Sequence, residues 1–488
     1  MNAALAPLVL PGLLIALPLL GGAALAAVPS QRMAALLNIA LAAAGFVLAL
    51  ALAALPWGAT GLLHVDALNL PLILVGAFVG LTTACFSAAA WPSENFTPGA
   101  ARAYHAAFQF FLGAHHLALL AENLGLVWVG IEGATIASVL MVGLHRTRAA
   151  IEAAWKFLIL GGLGIALALF GTITLAVAAQ PLLAEGASSL SFAALREVAA
   201  RADGGLLSLG FVFLLVGYGT KAGLVPLHSW LPDAHAEGPL AISAVLSGLL
   251  LNAALHAILR AKAVVGLNAE ALPPGALLLS LGVASLLLAA FSLWRRRDAR
   301  RFFAWSSIEQ MGLAAVGFGL GGAASLAGML QLIGHSLVKS AIFFGLGGAG
   351  GRDLAALRGL ANARPVLGWS LVVAMLAIAG LPPFSLFASE FLLMQQSVAR
   401  LPWLALPLGI GLLVGTLAML RQVQAVALEP ASTRTLRAAS GETVLPERLV
   451  AWAVLGPLHL HLLLALLLGF ALPAPLRAVL QEAARIVG

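Results

Sequence analysis

At 488 residues, 61% hydrophobic and only 9% charged, the sequence lies well outside the composition of soluble globular chains, which are about 25% charged, and an ordinary soluble enzyme is excluded. A net charge of +7 would point to nucleic acid in a soluble protein. Here no nucleic-acid partner is expected, because loop arginines between apolar runs set membrane topology instead. A mean hydropathy of +1.03 and repeated apolar runs of about 18 residues or more read as an all-α, polytopic protein of the lipid bilayer.

The lone Cys85 excludes internal disulfides and cysteine metal clusters. No Gly-rich phosphate loop follows a strand and no nucleophile motif is present, so no catalytic residue, no cofactor and no metal is assigned to this chain. The first apolar run lacks a basic n-region and a clean small-residue cleavage site, and reads as a span rather than a signal peptide.

About fourteen transmembrane helices are predicted, at 3–27, 33–56, 69–91, 104–121, 123–143, 153–179, 205–230, 239–266, 274–294, 302–322, 325–348, 366–398, 402–424 and 448–472. Loops after odd-numbered spans hold 16 Lys and Arg, against 7 in the even loops and tails. The odd loops are therefore expected on the cytoplasmic side and both termini on the outer side of a prokaryotic cytoplasmic membrane. The SFAALREVAARA segment in the 181–204 connection has helical apolar spacing and reads as a surface helix. Residues 347–365 read as a helix stop, a short amphipathic helix and a re-entry, and residues 425–447 as a flexible inner loop. About sixteen residues follow the last span, so no long C-terminal arm is expected.

Spans 4–8 echo spans 9–13. Lys156 precedes a span broken at Pro226 beside Lys221, and Lys339 precedes one interrupted at Pro382 and Pro383 ahead of Glu390. Five spans per unit is an odd number, so the units must be inverted, as in transporters with ion sites at broken helices. The expected organisation is an N-terminal three-helix region (1–103), two inverted repeats (104–266 and 267–424), then an inner loop, a last span and a short tail (425–488).

Six ionisable residues stand out within spans: Glu132, Lys156, Lys221, Glu309, Lys339 and Glu390. Unpaired, they would cost on the order of 15–20 kcal/mol on insertion scales. Three acids and three bases offer pairing, and paired lysines titrate according to their neighbours' charge, which is what a proton relay requires. His335 shares a helix face with Lys339, and Asn252 with His256, at i, i+4. Bland readings stand beside these. Lys156, a turn inside its span, also reads as a snorkelling side chain, and Glu309 as a helix–helix hydrogen bond. His115 and His116 read more as packed residues than as relay members, and His228, Asp233 and His235 lack metal-site spacing.

The segments GTKAGLVPLHSWLPDAH (219–235), WSSIEQMG (305–312), HSLVKSAIFF (335–344) and GLPPFSLFASEF (380–391) resemble the proton-conducting, antiporter-like membrane subunits. That family comprises subunits of respiratory complex I, Mrp cation/proton antiporters and membrane-bound hydrogenases. NLGLVWVGIEGATIAS (123–138) with SSIEQMG looks most like its hydrogenase-4 component F branch. The resemblance, over roughly residues 60–420, implies fourteen helices with inverted five-helix repeats. It further implies that Glu132 pairs with Lys221, that Lys339 with His335 connects, and that Glu390 is the exit-side group. It implies partners as well: other membrane subunits and peripheral iron–sulfur, hydrogenase or dehydrogenase subunits, with protons carried and sodium as the alternative. One departure is visible, since several complex I subunits carry a span 8 lysine where this chain has Asn252, with His256 a turn later. The long lateral C-terminal helix of the largest complex I member also has no counterpart here.

Overall fold

The computed structural model describes residues 6–90, 94, 96–184, 188–440 and 450–488. Helices dominate because apolar stretches of membrane length must satisfy every backbone group within themselves. The N-terminal pair α1 (Ala6–Ala27) and α2 (Gln31–Ala53) is followed by a two-stranded hairpin, β1 (Gly58–Thr60) and β2 (Leu63–Val65). Then come α3 (Leu70–Ala90), α4 (Pro98–Leu120), α5 (Leu124–Val142) and α6 (Arg148–Ala179). The expected surface helix is α7 (Phe192–Val198), capped by Ser191 and fastened by Glu122, whose Oε1 accepts from Ser191 Oγ (2.8 Å) and Ala193 N (2.9 Å).

The seventh span consists of two pieces, α8 (Gly204–Lys221) and α9 (Trp230–Glu237). The eighth is α10 (Leu240–Val245), a π-helical stretch over Leu246–Leu250, and α11 (Leu251–Val265). Spans nine to eleven are α12 (Pro274–Leu293), α13 (Ala299–Leu320) and α14 (Ala323–Ala349). A short α15 (Leu360–Ala363) leads into the divided twelfth span, α16 (Pro365–Ile378) and α17 (Ser385–Arg400). The chain closes with α18 (Ala405–Ala427), α19 (Thr433–Ser440), α20 (Gly456–Phe470) and α21 (Ala474–Val487).

Eleven helices among the described residues are long and apolar enough to cross a membrane. The remaining three expected spans are α4 and α13, of 23 and 22 residues but more polar, and the α16–α17 pair. The protein is therefore a polytopic all-α membrane protein. The windows at span eight and at α14 are entirely buried inside the protein, whereas α2 and α18 keep most of their surface outward. Span eight and α14 thus form the centre, and that is where polar side chains gather.

Two expectations need correction. The seventh span breaks at Lys221, not at Pro226: α8 stops there, Gly223 takes φ +75°, and Pro226 lies within the non-helical link. Arg260 and Lys262, counted as loop residues, lie buried on α11. The tail after the last span is a helix, α21, held by Lys262, whose Nζ donates to the carbonyls of Val487 (2.6 Å) and Gly488 (3.3 Å). Of the predicted inner loop 425–447, the part up to residue 440 includes α19, and residues 441–449 lie outside the described residues.

Candidate functional site

The first break places Lys221 at the last position of α8, fully buried. Trp230, at the start of α9, donates through Nε1 to the Thr220 carbonyl (2.8 Å), satisfying a group that the interrupted helix leaves free. The same indole stacks on Phe157 of α6 at 4.0 Å, and Phe157 offers its ring face to Lys221 Nζ at 5.4 Å. Gly161 makes room for the ammonium, since a Cβ there would stand 2.5 Å from Nζ. Glu132, half-buried on α5, is the carboxylate whose charge acts on Lys221. Neither Lys221 Nζ nor Glu132 Oε2 has a hydrogen-bond partner among the described residues. The two are coupled through space rather than clasped.

At the centre, the π-helical stretch leaves the Gly248 carbonyl open to side chains. Asn252 Nδ2 and Ser336 Oγ both donate to it at 2.8 Å, and Asn252 also donates to Ser336 Oγ at 2.8 Å. Ser247 Oγ lies 2.8 Å from Ser307 Oγ and 3.4 Å from His335 Nε2. One turn beyond His335 is Lys339, fully buried, donating to the Phe303 carbonyl (2.8 Å) and to Ser306 Oγ (2.9 Å). Such insertions recur at functional sites, but hydrophobic periodicity carries no sign of this one.

The second break gathers the acids. Lys339 is coupled electrostatically to Glu309, and Glu309 to Glu390. Glu390 hydrogen-bonds with the side chains of Gln310 and Gln331. Gln331 in turn donates to Gln310 Oε1 and accepts from Ser389 Oγ. Two glycines shape this chamber: a Cβ at Gly380 would overlap the Glu390 carboxylate, and one at Gly415 on α18 the Glu309 carboxylate. Pro382 and Pro383 lie in the link between α16 and α17. Glu309 thus faces a second acid and a lysine, an environment richer than a helix–helix hydrogen bond.

Two predicted residues sit apart from this line. Lys156 is exposed on α6, with its Nζ 2.8 Å from Glu152 and 3.1 Å from Asp233. It belongs to an ion-pair chain at that end of the bundle, in which Arg301 reaches Asp233 and Glu237, and Arg352 joins Glu237 to Asp298. His256 accepts from Arg260 Nε at 3.2 Å, and Arg260 grips Asp66 with two bonds, at 2.5 and 2.9 Å. The Asp66–Arg260 clasp was not predicted. A buried arginine so near the end of a span is the signal that could have found it. His115 and His116 are buried, and their ring nitrogens are without hydrogen-bond partners among the described residues. No group of three or more His, Cys, Asp or Glu among those residues is arranged to hold a metal ion.

Interrupted spans with buried lysines and carboxylates at their breaks define a class of membrane subunit that carries ionisable groups through its interior. Residues 121–416 match the family model described as NADH:quinone oxidoreductase/Mrp antiporter, transmembrane, and the chain belongs to that family. It is 47% identical over 426 residues to a hydrogenase-4 component F homolog from Methylacidiphilum infernorum, covering 85% of this chain and 90% of that protein. It is 30% identical to NAD(P)H-quinone oxidoreductase chain 4 of a Synechococcus species, over 69% of this chain and 59% of that one. Among solved structures it overlays a chain of the Mrp complex from Dietzia with a TM-score of 0.82 at 21% identity, over 100% and 98% of the two chains. For a chain of Thermus thermophilus respiratory complex I the TM-score is 0.76 at 24% identity, over 93% and 97%. At those identities the structural likeness is one of fold.

Proposed function

We propose that this chain is the proton-translocating membrane subunit of a redox-driven complex of the hydrogenase-4 or complex I kind. The observation that carries this reading is two sets of ionisable groups inside the bundle, Lys221 with Glu132 at the first break, and His335, Lys339, Glu309 and Glu390 from the centre to the second. Membership of the family and the long match to a hydrogenase-4 component F homolog support it.

Lys221 carries a proton when the Glu132 charge is near and yields it inward when that charge is withdrawn or neutralised. Lys339 receives it by way of the serine and histidine groups, and the Glu309–Glu390 pair takes it toward exit. Asn252 holds no proton, so either His256 and water bridge that side of span eight or the coupling there differs. Redox chemistry belongs to partner subunits in this reading, including iron–sulfur proteins outside the membrane, and no cofactor is held by the chain itself. In this reading the odd loops face the cytoplasmic side of a prokaryotic cytoplasmic membrane and both termini the other, which the arginine distribution supports.

The test is proton pumping by the assembled complex in vesicles. Lys221→Ala and Glu390→Gln are each expected to abolish pumping with assembly intact. Unchanged pumping in both sinks the relay.

A further inference from the structure

One cavity lies away from the buried lysines and carboxylates. It measures about 810 Å³ and opens where α12, the 350–359 connection, α18 and α19 meet. Six arginines line it, against two carboxylates, leaving a local excess of four positive charges. Arg358 and Arg434 are matched by Glu429 (3.4 Å) and Asp353 (3.3 Å). The side chains of Arg295, Arg297 and Arg421 take part in no hydrogen bond or ion pair among the described residues. Arg296 is held in place, with Nε donating to the Ser292 carbonyl (3.1 Å) and its guanidinium 4.7 Å above the Trp305 ring. Trp294, 43% exposed just after α12, lines the cavity too, and exposed tryptophans at span ends are typical of the membrane interface.

We propose that this cavity binds a phosphate-bearing anion. Guanidinium-bearing residues lining one space, with more positive charge than the lining carboxylates cancel, favour an oxyanion that accepts charge-assisted hydrogen bonds. Basic pockets between membrane helices on the cytoplasmic side take phospholipid headgroups in this way, and free phosphate offers the same chemistry. The site does not depend on the proton-relay reading. It does share a helix with it: α18 meets Glu309 at Gly415 and the cavity at Arg421, six residues or about 9 Å further along.

The experiment uses the full chain in phosphatidylcholine nanodiscs, with phosphatidylglycerol or inorganic phosphate as probes. Retention is read by native mass spectrometry and thermal unfolding by tryptophan fluorescence. The chain is compared with the pair Arg297→Gln/Arg421→Gln and with a control pair, Arg196→Gln/Arg477→Gln, at the opposite end of the bundle. The expected result is retention of phosphatidylglycerol that weakens about tenfold or more in the cavity pair and is unchanged in the control pair. Phosphatidylglycerol retained without competition from inorganic phosphate identifies a lipid headgroup as the source. A rise in unfolding temperature with inorganic phosphate, lost in the cavity pair, identifies the free ion. Binding of neither probe, or equal loss in both pairs, overturns the site. Should the cavity pair fail to fold, Arg295→Gln alone carries the same comparison.

Discussion

Several buried ionisable side chains owe their seats to residues with no chemistry of their own. Gly415 is where α18 passes the Glu309 carboxylate, and a methyl group there would overlap it. Gly409, on the same helix, has nothing within 4 Å of its would-be Cβ. Gly415→Ala is therefore expected to lower proton pumping about tenfold, in line with overpacking costs of about 1–3 kcal/mol. Gly409→Ala should leave it unchanged, and equal rates for both in vesicles would refute the seating argument. The Asp66–Arg260 clasp makes a second residue-scale prediction. Burial opposes ionisation of Asp66, but the Arg260 charge and its hydrogen bonds prevail and hold the carboxyl below its usual range. The clasp is thus at full strength above about pH 4 and is lost only as pH falls through the lowered value. Asp66→Asn strands a buried guanidinium and is expected to cost about 3 kcal/mol of stability. Asp66→Asn with Arg260→Met should recover most of it, and a double variant no better than the single in thermal unfolding would count against the pair. Lys221, Lys339 and Glu390 were legible in the sequence because a charge in an apolar run announces itself. Gly415 was not, because the side chain it accommodates comes from another helix.

At the scale of elements, the two interrupted spans were legible from prolines and from a run too long for one bilayer crossing. The position of the first interruption was not. Proline forbids a helix bond but does not fix where the chain departs, and here the departure comes at Lys221, where the Trp230 indole takes over the Thr220 carbonyl. Trp230→Phe keeps an aromatic on Phe157 while removing that N–H. The expected cost is about 1 kcal/mol, with faster amide exchange over residues 219–226; unchanged exchange there would show that the indole does not hold the break. Lys156 illustrates the opposite difficulty. Its place in the sequence suggests a buried base, but the helix turns it outward to Glu152 and Asp233. Which face of a long helix meets solvent depends on partners that sequence periodicity cannot name when nearly every face is apolar.

For the molecule as a whole, spans and fold class were readable because bilayer thickness imposes a length that composition reveals, and the family because four motif segments resemble its members. Docking of the ends was less so: α21 is held by a lysine on α11 some 225 residues earlier, a pairing no local signal encodes. Coupling to a redox partner belongs at this scale. In vesicles with no electron donor, the chain alone is expected to show little sodium/proton or potassium/proton counterflow, whereas rapid exchange would make it a secondary antiporter.

The π-helical stretch at Leu246–Leu250 has a further consequence, one of phase. Such a stretch holds one residue more than an α-helix would, so everything after it is turned by about 100° relative to an uninterrupted helix. That offset decides that Asn252 meets Ser336 and that Arg260 reaches Asp66. Deleting a single residue from the stretch would let the helix close up and rotate Asn252 and Arg260 away from Ser336 and Asp66 without altering either. A helical wheel drawn through span eight from its first residue to its last therefore puts the second half on the wrong face, and the protein's central polar contacts rest on that one-residue offset.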